Sequence, residues 1–301
     1  MSKAITFSAY GAPDVLQLSA VATPEPGPGQ VRIRVRAASV NPLDMKIRSG
    51  LMAGKVSAHF PVSPGLDAAG VVDSVGEGAE AAVGDEVLGA TVGGSYSEYA
   101  LLDRALAKPA ALSWEVAASL VTVGETASRV LGQLGAQAGQ TLLVHGAAGS
   151  VGTIAVQLAV ARGITVIGTV GAHDVERLTV LGATAVRYGD GWAERVRAAA
   201  PQGVDFVLDA SGAGVLADSV ALTGDGARVI TIADMSATQH GVRFSAGGAD
   251  QAGDSLPELV QRAADGRLTV PIWRTYPLAE AARAHADLEA RRNHGKAVLL
   301  P

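Results

Sequence analysis

The chain has 301 residues, 48% of them hydrophobic and 18% charged, with 37 glycines, no cysteine and a formal net charge of −5. The apolar share excludes a disordered chain, and the lack of cysteine excludes a disulfide-stapled module and any cysteine-ligated zinc or iron–sulfur centre. The mildly acidic balance argues against a nucleic-acid partner, and the length allows two domains. Up to about residue 115 the chain reads as short strands broken by Gly and Pro. Pro24 to Gly29 is a turn-rich connector, and Gln30 to Val40 is an alternating strand in which Arg32, Arg34 and Arg36 form the wet face. Further strands are expected at Ala68 to Val75, Asp85 to Gly89 and Ser95 to Leu102. Close spacing of short strands predicts a small barrel-like unit.

The rhythm then changes. Trp114 to Leu134 carries helical spacing, with Ser113 as N-cap. Strands are expected at Thr141 to His145, Ile164 to Val170, Ala185 to Tyr188, Val204 to Asp209 and Arg228 to Ala233. Helices are expected at Ser150 to Arg162, Asp174 to Leu181 and Trp192 to Ala200. This alternation means crossover units and a parallel sheet with both faces covered. Met235 to Gly253 has no clear pattern; helices at Leu256 to Ala264 and Leu278 to Ala290 and a strand at Ala297 to Leu300 close the chain. No apolar run approaches the roughly 20 residues that span a bilayer, and residues 1 to 7 lack a signal-type apolar region, so a soluble cytoplasmic protein with no membrane partner is expected. The six histidines show no H-x-H or H-E-x-x-H spacing, and no metal ligand is assigned.

The sharpest local pattern runs from Thr141 to Gly152: an apolar strand, then Gly146-Ala147-Ala148-Gly149-Ser150-Val151-Gly152, then an apolar-periodic helix. Glycines let a diphosphate approach the main chain, and a helix N-terminus offers it unpaired N–H groups and a partial positive charge. The second strand completes a unit of about 30 residues, as a dinucleotide site requires. An NAD-preferring site places an acid at the tip of that second strand. Here the tip reads Gly168-Thr169-Val170-Gly171-Ala172-His173-Asp174, without a carboxylate before Asp174. NADPH is therefore expected, with His173, Arg177 and Tyr188 near its 2′-phosphate.

With these residues in view, the sequence resembles the medium-chain dehydrogenase/reductase superfamily, in its zinc-independent quinone oxidoreductase, zeta-crystallin-like branch. The resemblance rests on five blocks in order: Ala38 to Gly50 with its Asn-Pro-x-Asp and Arg-x-Gly elements, Pro64 to Gly70, Gly124 to Ala127, His145 to Gly152, and His294 to Leu299. It implies an α/β chain built of a GroES-like β-rich domain (residues 1–118, completed by 254–301) and a Rossmann doubly wound parallel sheet (residues 119–253), with the cofactor in the cleft between them. It implies an NADPH-dependent enzyme that reduces quinones or α,β-unsaturated carbonyls as a homodimer. Two alternatives stay open: an enoyl reductase of thioester or natural-product intermediates, and a non-catalytic NADPH-binding protein. Asn41 stands where zinc-dependent relatives have a cysteine, and Gly65-Leu66-Asp67 replaces their Gly-His-Glu element.

Roles are expected for single residues beside that resemblance, Ser211 and Ile232 because they lie at or just past predicted strand ends, where ligands gather. Asn41 contacts nicotinamide or substrate, or starts a turn. Asp44 orients Asn41 or Lys46, or caps the next segment. Lys46 supplies a proton or stabilises an enolate, or is a surface lysine. Thr126, Ser211, Ile232 and Lys296 touch the cofactor; for Thr126 the alternative is helix back-bonding, and for Lys296 a surface ion pair. Asp67 supports the domain, and Tyr96 and Tyr99 pack the barrel.

Overall fold

Alternation along one strand builds the first unit. In β3 (Val31–Ser39), Val31, Ile33 and Val35 are buried while Arg34 and Arg36 are exposed. The strand follows the pair β1 (Ser2–Thr6) and β2 (Gln17–Val21), and it leads into the short helix α1 (Pro42–Arg48). Next come β4 (Asp67–Val75), β5 (Glu86–Val92), β6 (Tyr99–Leu102) and β7 (Leu106–Ala107). β3 pairs antiparallel with β4, β4 with β5 and β5 with β6, and β6 returns to the N-terminal half of β3. Four strands thus close on themselves around Ile33, Val35, Val72, Val87 and Leu102. Closure removes the exposed edges that an open sheet would present. The sequence pattern starts the last of these strands at Ser95. The structure starts it at Tyr99, because the Ser95 and Tyr96 amides turn aside to the Pro64 carbonyl.

The structure is a computed structural model that describes residues 1–55, 59–247, 255–291 and 293–301. The chain divides into two units, residues 1–122 with 256–301 and residues 123–255. It crosses between them inside α2 (Trp114–Leu134), whose first turn is capped where the Ser113 hydroxyl accepts the Val116 amide.

The second unit is a wound parallel sheet. Its strands are β8 (Thr141–His145), β9 (Thr165–Val170), β10 (Thr184–Arg187), β11 (Phe206–Asp209), β12 (Val229–Thr231) and β13 (Arg243–Phe244). The helices α3 (Ser150–Ala161), α4 (Val175–Val180), α5 (Trp192–Ala199) and α6 (Leu216–Thr223) lie between them in sequence. The spatial order is β10-β9-β8-β11-β12-β13, all parallel. This is the doubly wound order, and its direction reverses between β8 and β11. β8 is the innermost strand, with Leu142, Leu143 and Val144 fully buried. α6 is absent from the sequence reading. β13 falls in the unpatterned stretch from Met235 to Gly253, of which residues 248–253 lie outside the described residues.

The chain then returns to the first unit through α7 (Leu256–Ala264), β14 (Ile272–Pro277), α8 (Ala281–Glu289) and β15 (Lys296–Leu300). β15 pairs antiparallel with β3 and parallel with β14, so the last five-residue strand extends the sheet that the first hundred residues began. β14 is also absent from the sequence reading: its Trp273-Arg274-Thr275 run is half exposed and lacks an apolar alternation.

Ile33 is 0% exposed at the seam where β3 meets β6. Truncating it leaves a cavity in the closed ring, and Ile33→Ala is expected to lower stability by about 2–5 kcal/mol, read from urea unfolding.

Candidate functional site

In the second unit, β8 delivers His145 to the carboxyl end of the sheet and the chain turns at once. Gly146 takes φ +70°, and a Cβ there would lie 3.2 Å from the Ala210 carbonyl carbon. The Gly149 amide donates to the Gly146 carbonyl at 2.9 Å and closes the turn. Gly149 is then the extended N-cap of α3, with no side-chain cap and no acidic residue in the first turn. A Cβ on Gly152 would lie 2.2 Å from the Gly146 oxygen and 2.8 Å from the Ala147 Cα, so only hydrogen fits. The helix therefore starts tight against the turn that carries Ala147 and Ala148, and no side chain caps the first amides, at Ser150 and Val151. Uncapped donors and the positive end of a 12-residue helix at the reversal point of the sheet form an anion cradle.

The neighbouring strand ends shape the rest. At the tip of β9, Arg177 donates to the Ala148 carbonyl at 2.6 Å and pairs with Asp174 at 3.1 Å. Asp174, the first carboxylate past that tip, thus has a cation partner. Tyr188 is 67% exposed, and its ring lies 3.5 Å from where a Gly171 Cβ would be. His173 is exposed on the turn Ala172–Asp174. The structure thus gathers all three at one strand tip. Beyond β11, buried Asp209 accepts the Ser211 amide (2.9 Å) and hydroxyl (2.7 Å) on Oδ1 and the Thr231 hydroxyl (2.8 Å) on Oδ2. Ile232 donates its amide to the Asp209 carbonyl at 3.0 Å. Ser211 and Ile232 therefore fasten the ends of β11 and β12 together. His145 lies between the Thr169 hydroxyl (3.1 Å) and the Ser219 hydroxyl (3.3 Å), edge-on to Trp192. Burial pushes its pKa down to about 4, so the ring is neutral and structural at pH 7. Thr126 is half-buried on α2.

The first unit holds a different assembly, a buried polar cluster. The Asn41 amide N–H donates to Asp44 Oδ2 at 2.8 Å across the first turn of α1. Its side chain donates to Asp67 Oδ2 (2.9 Å) and Ser39 Oγ (3.3 Å) and accepts from Lys296 Nζ (2.8 Å). Lys296 also donates to the Val40 carbonyl at 3.0 Å. Asp67 accepts from Ser39 at 2.9 Å and from Thr122 at 2.5 Å. Asn41, Asp44, Asp67 and Lys296 are each at most 2% exposed. Lys296 is therefore neither a surface ion pair nor a free tail group: it ties the last strand to Asn41. Burial lowers its pKa against the pull of Asp67 and Asp44. Lys46 stands half-exposed on α1.

Asp44 Oδ2 also accepts the Tyr96 hydroxyl at 2.9 Å, and Tyr96 meets His285 Nε2 of α8 at 3.1 Å. Burial raises the Asp44 pKa to about 7, with the Asn41 and Tyr96 hydrogen bonds and Lys296 opposing and Asp67 adding to the rise. Burial, and then Arg48, push His285 down to about 3. Tyr96 and His285 escape a sequence reading because they lie 52 and 241 residues from Asp44 in the chain, and only folding joins them. Asp44 lines a cavity of about 400 Å³ within this unit, with Ile47, Val62, Pro64, Leu66 and Thr91 among its walls.

Similarity to known proteins agrees with this geometry. Residues 27–111 match the alcohol dehydrogenase GroES-like domain family, and residues 181–299 match the zinc-binding dehydrogenase family. The chain is 35% identical to the quinone oxidoreductase of Lama guanicoe, covering 100% of this chain and 98% of that protein. It is 35% identical to the 2-methylene-furan-3-one reductase of Solanum lycopersicum, covering 99% of this chain and 79% of that one. The solved structure of mycobacterial Rv1454c complexed with NADPH superposes with a TM-score of 0.89 at 31% identity, covering 100% of both chains. Among the described residues no group of three or more His, Cys, Asp or Glu is placed to hold a metal ion, and no helix is long and apolar enough to cross a membrane.

Gly152→Val must displace the Gly146 carbonyl and so distort the cradle. NADPH titrations followed by fluorescence should show a Kd raised by about tenfold or more, equivalent to ~1.4 kcal/mol, with far-UV circular dichroism retained. An unchanged Kd contradicts the assigned role of this corner.

Proposed function

The chain belongs to the quinone oxidoreductase family, a zinc-independent branch of the medium-chain dehydrogenases/reductases, and from that premise we propose that it is an NADPH-dependent reductase of quinones and α,β-unsaturated carbonyl compounds. The observation that carries this reading is the glycine cradle at the point where the sheet order reverses. The residues fit the cofactor. Side chains at Gly146 or Gly152 would fill the cradle, and α3 offers uncapped amides there.

The main-chain amides of Gly146 to Gly152 hold the diphosphate. Arg177, Tyr188 and His173, gathered past the end of β9 with Asp174 paired to Arg177, receive the 2′-phosphate. Asp209 keeps the Ser211 and Ile232 ends of β11 and β12 in place beside the cradle, and Thr126 of α2 completes the set. In the first unit, Asn41 and Lys296 have their side-chain polar atoms committed to each other and to neighbours. Their part in this proposal is to fix the frame in which Asp44 is held. When bound, NADPH supplies a hydride. A conjugated acceptor spreads the incoming charge over several atoms, so it needs no metal Lewis acid to polarise a single carbonyl. The tomato relative acts by name on a conjugated ketone, which supports including enones beside quinones. A homodimer and a cytoplasmic location complete the proposal.

Absorbance of NADPH at 340 nm should fall with 1,4-benzoquinone, 9,10-phenanthrenequinone or a small enone, faster than for NADH. Arg177→Ala should raise the KM for NADPH about tenfold, through loss of a charge-assisted bond, and the KM for NADH less. No oxidation with any of the three acceptors would overturn the reading.

A further inference from the structure

We propose that Asp44 is the acid of the reaction, its Oδ1 donating the proton that completes reduction of an acceptor seated in the first unit's cavity. The proposal rests on the reductase reading above. Asp44 is one of the cavity's walls, and the residue is 1% exposed. Its two oxygens are treated differently by the fold. Oδ2 takes two donors, the Asn41 amide at 2.8 Å and the Tyr96 hydroxyl at 2.9 Å. Oδ1 is buried and has no hydrogen-bond partner among the described residues. An oxygen that already accepts two hydrogens has no room for a third, so the acid proton of Asp44 resides on Oδ1. Among the described residues no group competes there for it.

Tyr96 is itself held. Its hydroxyl donates to Asp44, so His285 Nε2, 3.1 Å away, is the donor to Tyr96. The ring of His285 stands edge-on to Tyr96 at 5.7 Å and fixes the phenol's position. Among the described residues, the charged and titratable groups that act on Asp44 are Asp67 on β4, Lys296 on β15 and Tyr96; His285 on α8 meets Tyr96, and Arg48 on α1 acts on Tyr96 and His285. Burial leads, Asp67 adds to it, and Lys296 opposes, which brings the Asp44 pKa to about 7. The folded pKa lies above the ordinary 3.8, so the acid form is present below pH 7 and is lost as pH rises through it.

The atoms balance. A hydride supplied by bound NADPH would reduce the acceptor by two electrons and leave an oxyanion, of a hydroquinone or an enolate. An O–H bond to that oxyanion forms as the Asp44 Oδ1–H bond breaks. Asp44 is left as carboxylate, and water reprotonates it after product leaves. Asp44 is then a catalytic residue, while Tyr96 and His285 are positioning residues.

Carbon-13 NMR of carboxyl-labelled aspartate, with no cofactor or acceptor present, should show one resonance titrating near pH 7 that is missing in Asp44→Asn. Turnover of the wild type with 1,4-benzoquinone at saturating NADPH should fall about tenfold per pH unit above 7. Asp44→Asn should reduce kcat by ~100-fold or more and remove that limb. Tyr96→Phe deletes one of the bonds that hold the Asp44 pKa down, so it should move both the NMR midpoint and the limb to higher pH. This serves if the Asn variant fails to fold. His59→Gln, at another wall of the cavity, should leave the limb at the wild-type pH. Wild-type turnover that is flat with pH, an Asn variant with wild-type kcat, a limb that follows His59, or a missing resonance near pH 7 overturns the proposal alone. No wild-type turnover of any acceptor overturns the reductase reading and the proposal together.

Discussion

One close approach governs the second unit. The Gly146 carbonyl oxygen lies where a Gly152 Cβ would have to be, 2.2 Å away. Because both residues lack a side chain, the turn 146–149 closes tightly and α3 begins at Ser150, packed against the end of β8. That places the positive end of a 12-residue helix at the carboxyl edge of an all-parallel sheet, beside the ends of β9, β11 and β12. The helix gives up a side-chain cap at this end, which with Gly149 as N-cap costs about a few tenths of a kcal/mol. Leaving those amides uncapped makes sense when an anion is to satisfy them. The Arg177 guanidinium on the Ala148 carbonyl holds the loop's other side.

The first unit solves a different problem, that of keeping charge inside an apolar ring. Two carboxylates and one ammonium are nearly solvent-free there. Removing one partner from such a set costs far more than a surface pair is worth, because the remaining charge stays buried. Asn41 is the junction: its amide bridges Asp67 and Lys296, groups brought by β4 and by the last strand. The Lys296 bond reaches back 255 residues, which gives the closing strand a polar reason, besides Val298 and Leu299, to return to β3. Asp67 spends both oxygens on Ser39, Asn41 and Thr122, and so behaves as an anchor. Asp44 spends one oxygen only, and that asymmetry separates the two acids chemically.

How far the sequence discloses this depends on the range of the forces involved. Local periodicity decides α2, β8 and α7, whose limits coincide with the apolar pattern at Trp114–Leu134, Thr141–His145 and Leu256–Ala264. The glycine loop is legible for the same reason, since the contacts that require Gly149 and Gly152 fall on Gly146 and Ala147 of the same turn. α6 escapes because Gly212 and Gly214 precede it and Gly224 ends it, so a helix of eight residues sits in a stretch that reads as turn. β14 escapes because its partner β15 lies about two dozen residues on and its own face is half wet. The buried cluster is only half legible. Asn41 and Asp44 stand out through the Asn-Pro turn, whereas Tyr96 reads as packing, and nothing near Lys296 in the chain announces that its ammonium lies inside.

The claim on which the functional account stands is that main-chain N–H groups at the start of α3 grip the diphosphate. Nitrogen-15 NMR tests it residue by residue. On titration with NADPH, the amides of Gly149, Ser150, Val151 and Gly152 should shift most, and downfield, as new charge-assisted hydrogen bonds form. Saturation of the protein by NADPH with those four resonances unmoved would contradict the account.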